Sequence, residues 1–239
     1  FDACWPRAER AVRLAREDGA QELLAFALGS LGMNAYLAGG TSRVPVPDLR
    51  RACVEGVELA GVVGSRYTQL FAGFLLATAH FLSADFTASE ELFAETLALA
   101  RAEGTALEYP GFFLAVWADS CLARGDVEAA IAKAREGIEL SDSGGMWFQG
   151  ALARAALVDA LVHANAPEQE IRNLLAQARE LVSRSGGNSL LPRLREAEAR
   201  LEARSDATLL AAGLREAEAM YRAMGAPDPA DRLARELAA

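Results

Sequence analysis

Glycine recurs in this chain on a beat of about forty residues, each time closing a helical pattern. "LAREDG" ends at Gly19, "LAGVVG" at Gly64, "ARAEG" at Gly104, "LSDSG" at Gly144, "VSRSG" at Gly186 and "YRAMG" at Gly225, at intervals of 45, 40, 40, 42 and 39 residues. Glycine just past a helix end adopts the left-handed conformation without a Cβ clash. Six such stops at near-constant spacing mean that one supersecondary unit repeats along the chain.

The residues between the stops say what that unit is. Before each stop lies an amphipathic stripe: Leu92, Phe93, Thr96, Leu97 and Ala100 in the third unit, Val127, Ala130, Ile131, Ala134 and Ile138 in the fourth. Ile171, Leu174, Leu175, Ala178, Leu181 and Val182 follow in the fifth, and Leu210, Leu214, Ala217 and Tyr221 in the sixth. Spacings of three and four place these side chains on one helix face. After each stop comes a more uniformly apolar helix, predicted at residues 20–38, 65–83, 108–123, 147–164 and 188–204. A helix apolar on most faces needs neighbours on two or three sides. Asp85 and Asp126 follow tight turns, Pro47 and Pro167 suit first-turn positions, and Ser205-Asp206 opens the sixth amphipathic helix. Hairpins of this kind share one continuous core by stacking. The fold class expected is all-α, a solenoid of about a dozen helices paired into about six hairpins. The proline-containing loop at residues 39–48 stretches the first interval; we read it as a loop inside one 1–239 domain, with a domain boundary there as the minority alternative.

Composition narrows the function. The net charge is −9, Lys133 is the only lysine, and no Lys/Arg cluster interrupts the acidic background. Nucleic-acid binding needs a basic footprint, so direct binding by this chain is not expected. The dominance of arginine over lysine suggests a GC-rich bacterial genome. Cys4, Cys53 and Cys121 are odd in number and far apart, which indicates a reducing, cytoplasmic compartment. The longest apolar run, residues 70–82, is too short to span a bilayer. A start on Phe1 inside a repeat reads as a piece of a longer multidomain protein.

Two stretches carry a family resemblance. "LARGDVEAAIAKAREGIEL" resembles the second half of a tetratricopeptide repeat, with Gly125-Asp126 as its turn, Ala130 as the small crossing residue, and Ala134 and Gly137 as later packing positions. "SADFTASEELFAETLALA" follows the same outline through Phe86, Ser89 and Phe93, while Trp117, Ala118 and Cys121 match the large, small, large pattern of the preceding helix less closely. The period departs from the family's usual 34 residues and resembles the longer helical repeats of bacterial maltose-activator-like transcription regulators and of signalling ATPases fused to nucleotide cyclases. The closing "LREAEAMYRAMGAPDPADRLARELAA" is similar to the ends of such regions. The resemblance implies a right-handed α–α superhelix and a sensor or interaction arm of a multidomain regulator; HEAT or armadillo repeats remain the alternative fold.

No catalytic constellation converges. His80 sits within an apolar helix and reads as a hydrogen-bonded histidine; His163 follows Asp159 by four residues, a polar pair too small for a metal site. Cys121 reads as a small buried residue, "GGTS" and "SGGNS" lack the strand a phosphate loop needs, and Glu90-Glu91 lie on a solvated face. No enzyme activity, cofactor or metal is expected. The first helix of each stacked hairpin lines the inner, concave face. The register places Phe71, Phe74, Thr78 and Phe81 there in one unit, then Phe112 and Asp119, Ala155 and Asp159, and Arg195. Tyr67, Tyr109 and the Trp147–Phe148 pair mark helix entries, with Arg66, Gln69, Gln149, Asn188 and Arg193 as polar groups around them. Such a groove suits a protein or peptide segment. A small-molecule effector is the alternative, self-association as a homodimer the weaker one, and packing between repeats the competing role for each aromatic.

Overall fold

Two alternating kinds of turn set the architecture. In a computed structural model that describes residues 1–2, 4–41, 44–106 and 108–238, the chain divides into two compact units, Phe1–Tyr109 and Pro110–Ala239. The first holds α1 (Cys4–Asp18), α2 (Gln21–Leu37), α3 (Val46–Val63), α4 (Arg66–Leu82) and α5 (Phe86–Glu103). The second holds α6 (Pro110–Ala123), α7 (Val127–Ser143), α8 (Trp147–His163), α9 (Glu168–Ser185), α10 (Leu191–Glu202, entered through a short 3-10 turn at Asn188–Leu190), α11 (Thr208–Ala223) and α12 (Pro227–Ala238). Among the described residues these are twelve α-helices and no strand. The division falls after Tyr109 and not at the 39–48 loop, whose Ser42 and Arg43 lie outside the described residues.

The turns that end the amphipathic helices carry left-handed glycines at Gly19, Gly64, Gly104, Gly145, Gly186 and Gly225. The fourth is therefore Gly145 and not Gly144, which has helical dihedrals (φ −86°). The backbone N–H of Met146 closes that turn on Ser141 O at 2.8 Å, as Ala20 does on Ala15 and Ala226 on Tyr221. The turns that end the apolar helices repeat as well, at Gly39, Ala84, Gly125 and Asn165, all with positive φ. Each is closed by the same six-to-one hydrogen bond, to Ala35, His80, Cys121 and Leu161 respectively, at 2.9–3.0 Å. This second beat is hidden in the sequence because alanine and asparagine stand where glycine would announce it.

Within each unit every helix packs on its neighbours in sequence, and the even-numbered helices also pack on each other: α2 on α4, α6 on α8, α8 on α10. That makes α2 and α4 in the first unit, and α6 and α8 in the second, the more enclosed helices and explains why these four are apolar on most faces. Leu28, Leu70, Phe74, Leu75 and Phe93 fill the first unit's core, and Phe113, Leu114, Leu152, Ile171, Leu194 and Leu201 the second's.

Three of the hairpins, α2/α3, α4/α5 and α6/α7, cross at one repeated contact. Leu28, Gly73 and Leu114 stand eleven residues before the turns at Gly39, Ala84 and Gly125; Gly56, Thr96 and Gly137 stand eight before Gly64, Gly104 and Gly145. A Cβ on Gly56 would lie 3.3 Å from Ala25 O and 3.7 Å from Leu28 Cβ; one on Gly137 would lie 3.2 Å from both Gly111 O and Leu114 Cβ. In the middle hairpin the sizes are exchanged, and the Thr96 side chain fills the space over Gly73. One partner at each crossing is a glycine, so the backbones close to packing distance.

Two substitutions test these elements by urea denaturation. Exposed Ala84 holds φ 58°; an L-residue there bears a strain of about 1–2 kcal/mol, partly offset in glycine by its looser unfolded chain. Ala84→Gly is expected to raise stability by about 0.5–1 kcal/mol. Gly137→Ala is expected to lower it by about 1–3 kcal/mol through overpacking at the crossing.

Candidate functional site

Three of the polar residues singled out in the sequence converge in the second unit. Asp119 on α6 and Asp159 on α8 stand at the same position of successive even helices, six residues before the turns at Gly125 and Asn165. Both meet Arg193 at the start of α10. Its Nη1 and Nη2 donate to the two oxygens of Asp119 at 2.9 and 2.5 Å, and its Nε donates to Asp159 Oδ2 at 2.7 Å. The planar guanidinium supplies the fork that a bidentate carboxylate requires. One cation thus serves two carboxylates and ties α6, α8 and α10 together. The side chains remain 20%, 13% and 26% exposed for Arg193, Asp119 and Asp159, a half-wet row bordered by closed core.

The electrostatics follow from that stoichiometry. Burial pushes the Asp159 carboxyl above the usual carboxylate range; Arg193 pulls it back, while the Asp119 and Glu196 charges add to the upward push. Burial also raises the phenol of Tyr221, an α11 residue within reach of these same charges. Further along α10, Glu196 accepts from both Arg200 (3.0 Å) and Arg232 (2.9 and 2.7 Å) and its pKa stays low despite burial, which opposes those two arginines.

The other candidates take different places. Phe74 is fully enclosed in the first unit's core and has no part in a solvent-open groove, because α4 is covered on most sides. Tyr67 and Tyr109 do come together: the Tyr67 hydroxyl lies 2.7 Å from Glu108 Oε1 and 2.9 Å from the Tyr109 hydroxyl, and the Tyr67 ring packs on Phe26 while the Tyr109 ring packs on Phe71. Burial, with the Tyr109 and Glu108 bonds, holds the Tyr67 phenol far above its ordinary range. Arg66, one residue earlier, donates to Gln69 at 2.8 Å and faces Glu103 at 3.6 Å.

Trp147 and Phe148 part company. Phe148 stacks on Phe112 with ring centroids 6.5 Å apart, and its ring occupies the space that a Cβ on Gly187 would need. It is a packing residue between α6 and α8. Trp147 is 44% exposed and lies beneath the Arg184 guanidinium, 4.2 Å from the ring centroid, on the α9 side of α8. Gln149 is half-buried on α8, and Asn188 is exposed in the 3-10 turn. Arg195 belongs to the α10–α11 contact: its Nε reaches Glu216 at 2.6 Å and its guanidinium lies over Gly213.

His80 Nδ1 lies 3.0 Å from Asp85 Oδ2, a hydrogen-bonded histidine as expected. His163 meets Asp159 through the backbone carbonyl at 2.8 Å, since the carboxylate is engaged by Arg193. Cys121 is buried. Sequence reasoning missed Arg154, a buried arginine on α8. Its guanidinium bonds Asp142 on α7 (3.0 and 2.7 Å) and Gln177 on α9 (3.0 Å). The signal was present as the one cation inside an otherwise apolar helix. Among the described residues no group of three or more His, Cys, Asp or Glu is placed to hold a metal ion, and no helix is long and apolar enough to cross a membrane.

No protein-family model matches this chain, and no curated protein sequence matches it.

Arg193→Leu leaves two half-buried carboxylates facing each other, and is expected to cost about 2–4 kcal/mol at neutral pH by denaturant titration, somewhat below the figure for a fully buried pair. The pH dependence has a definite sign. An acid whose folded pKa is raised is held protonated by folding, so it subtracts stability as pH climbs from its ordinary value of 3.8 through the raised one. Asp159→Asn removes that subtraction. Relative to the parent chain the variant is expected to gain stability progressively as pH rises above 3.8, and a flat difference profile would contradict the assignment.

Proposed function

We propose that this chain is a non-enzymatic polypeptide-binding module built of tetratricopeptide-like helical hairpins. The observation that carries the reading is the row formed by Asp119, Asp159 and Arg193. Two carboxylates at equivalent repeat positions share one guanidinium and stay partly accessible on the inner layer. The two carboxylates lie at a site already half removed from water, where a basic side chain of a partner finds strengthened attraction. The chain's net charge of −9 favours encounter with basic segments in the same sense.

The family assignment rests on the repeated hairpin crossing and on the Gly125-Asp126 turn, where Asp126 caps α7 by accepting from Ala129 N at 3.0 Å. Right-handed winding of the hairpins, and a place as the interaction arm of a cytoplasmic bacterial regulator, are the finer forms of the same proposal.

A peptide array of ten-residue segments with graded charge, followed by fluorescence anisotropy with the best binder, tests it. Peptides carrying arginine or lysine are expected to bind, and to weaken steeply with salt. Replacing the basic residue by glutamine in the peptide, or Asp159 by asparagine in the protein, is expected to weaken binding by about tenfold, the loss of one charge pair. Binding indifferent to peptide charge and to Asp159→Asn, in protein of unchanged circular dichroism, would sink the reading.

A further inference from the structure

The two aspartates of the second unit's polar row occupy equivalent places on α6 and α8, yet Arg193 holds them differently. Asp119 is gripped by the end of the guanidinium fork, with Nη1 donating to Oδ2 at 2.9 Å and Nη2 to Oδ1 at 2.5 Å. Asp159 is held from the side, by Nε donating to Oδ2 at 2.7 Å. Among the described residues no group donates to Asp159 Oδ1. That oxygen is not a buried orphan either, since the Ser120 hydroxyl is the one buried side-chain polar atom without a partner among those residues. Oδ1 therefore opens to solvent, in keeping with an Asp159 side chain 26% exposed against 13% for Asp119.

A single open oxygen recognises a different cation from a whole carboxylate. A guanidinium binds best through two parallel N–H···O bonds, one to each oxygen. At Asp119 both oxygens already serve such a fork, and at Asp159 the second oxygen is taken. An arriving arginine keeps one bond of its two and brings its plane against the like charge of Arg193. An ammonium is a compact charge with three rotatable donors. One N–H on Oδ1 fills the seat, and the other two remain in the water that the exposure of Asp159 admits. Arginine's weaker hydration favours it at dry sites, but this row is half wet, so acceptor geometry decides. Burial makes Asp159 costly to ionise, Arg193 offsets part of that cost, and a second cation at Oδ1 offsets more.

We propose that Asp159 Oδ1 is a seat for a primary ammonium, and that the row selects a lysine side chain of the partner segment over an arginine. This rests on the polypeptide-binding reading above and gives that reading a specificity.

The probe is the tightest array peptide with one basic residue, whether lysine or arginine, acetylated at its amino terminus. It is remade with lysine, arginine, Nε-dimethyl-lysine, Nε-trimethyl-lysine or norleucine at that position and titrated into the full chain by anisotropy. The lysine form is expected to bind about fivefold tighter than the arginine form. Dimethyl-lysine keeps one N–H and is expected to stay within about threefold of lysine; trimethyl-lysine keeps the charge without a donor and is expected to lose about tenfold. In Asp159→Asn the one oxygen stays with Arg193 Nε and the amide NH2 turns to the open position, so the lysine preference is expected to vanish while circular dichroism is unchanged. Arginine or trimethyl-lysine bound as tightly as lysine, or a lysine preference that survives Asp159→Asn, overturns the proposal and leaves the polypeptide-binding reading standing. A norleucine peptide with a free amino terminus that binds as tightly as the acetylated lysine peptide makes a chain terminus the source of the ammonium, and the lysine assignment falls. Failure of every basic peptide to bind overturns both.

Discussion

The closeness of the hairpin crossing is the constraint from which the rest of each unit follows. A glycine on one helix lets the backbone of the other come within van der Waals contact of it at Gly56 and Gly137, and lets the Thr96 side chain do so at Gly73. Within each unit the even helices also pack on one another. The exchange of sizes in the middle hairpin, Thr96 over Gly73, shows that the glycine can stand on either helix of the crossing.

Charge is arranged on top of that packing. Arg154, Arg193 and Arg195 each leave an inner helix to bond carboxylates on other helices, and Arg204 donates to the carbonyls of Val162 and Ala166 at the end of α8, where the helix dipole favours a cation. Ion pairs of this kind contribute little net stability compared with an apolar substitute, but they discriminate among helix registers, since a slipped register strands a charge. Arg193 differs from Arg154 in bridging carboxylates at the same position of two successive even helices, Asp119 on α6 and Asp159 on α8.

How much of this was legible in the sequence depended on the local chemistry of each element. The glycine beat placed the helices to within a few residues, because a left-handed stop is a steric property of one residue. It misplaced one stop between Gly144 and Gly145, where two adjacent glycines leave the choice to the surrounding hydrogen bonds. The turn before Asp85 was read as a tight turn, but the left-handed residues at Ala84 and Asn165 were not legible, since there the tertiary frame holds a residue that does not prefer φ above zero. Groove residues fared unevenly for a related reason. Asp119 and Asp159 are polar in apolar helices and signalled themselves, whereas Phe74 and Trp147 lie on helices apolar all round, where periodicity names no face. The division after Tyr109 left no mark because the beat runs through it without a change of interval.

Helices that touched only their neighbours in sequence would open one after another from the end of a unit. The Arg193–Asp119 pair joins positions 74 residues apart and passes over a complete hairpin to do so. It makes the opening of α8 and α9 dependent on the state of helices to both sides. Fraying that begins at α12 therefore meets a barrier at α10, and the stretch from α6 to α10 melts and forms as one cooperative block.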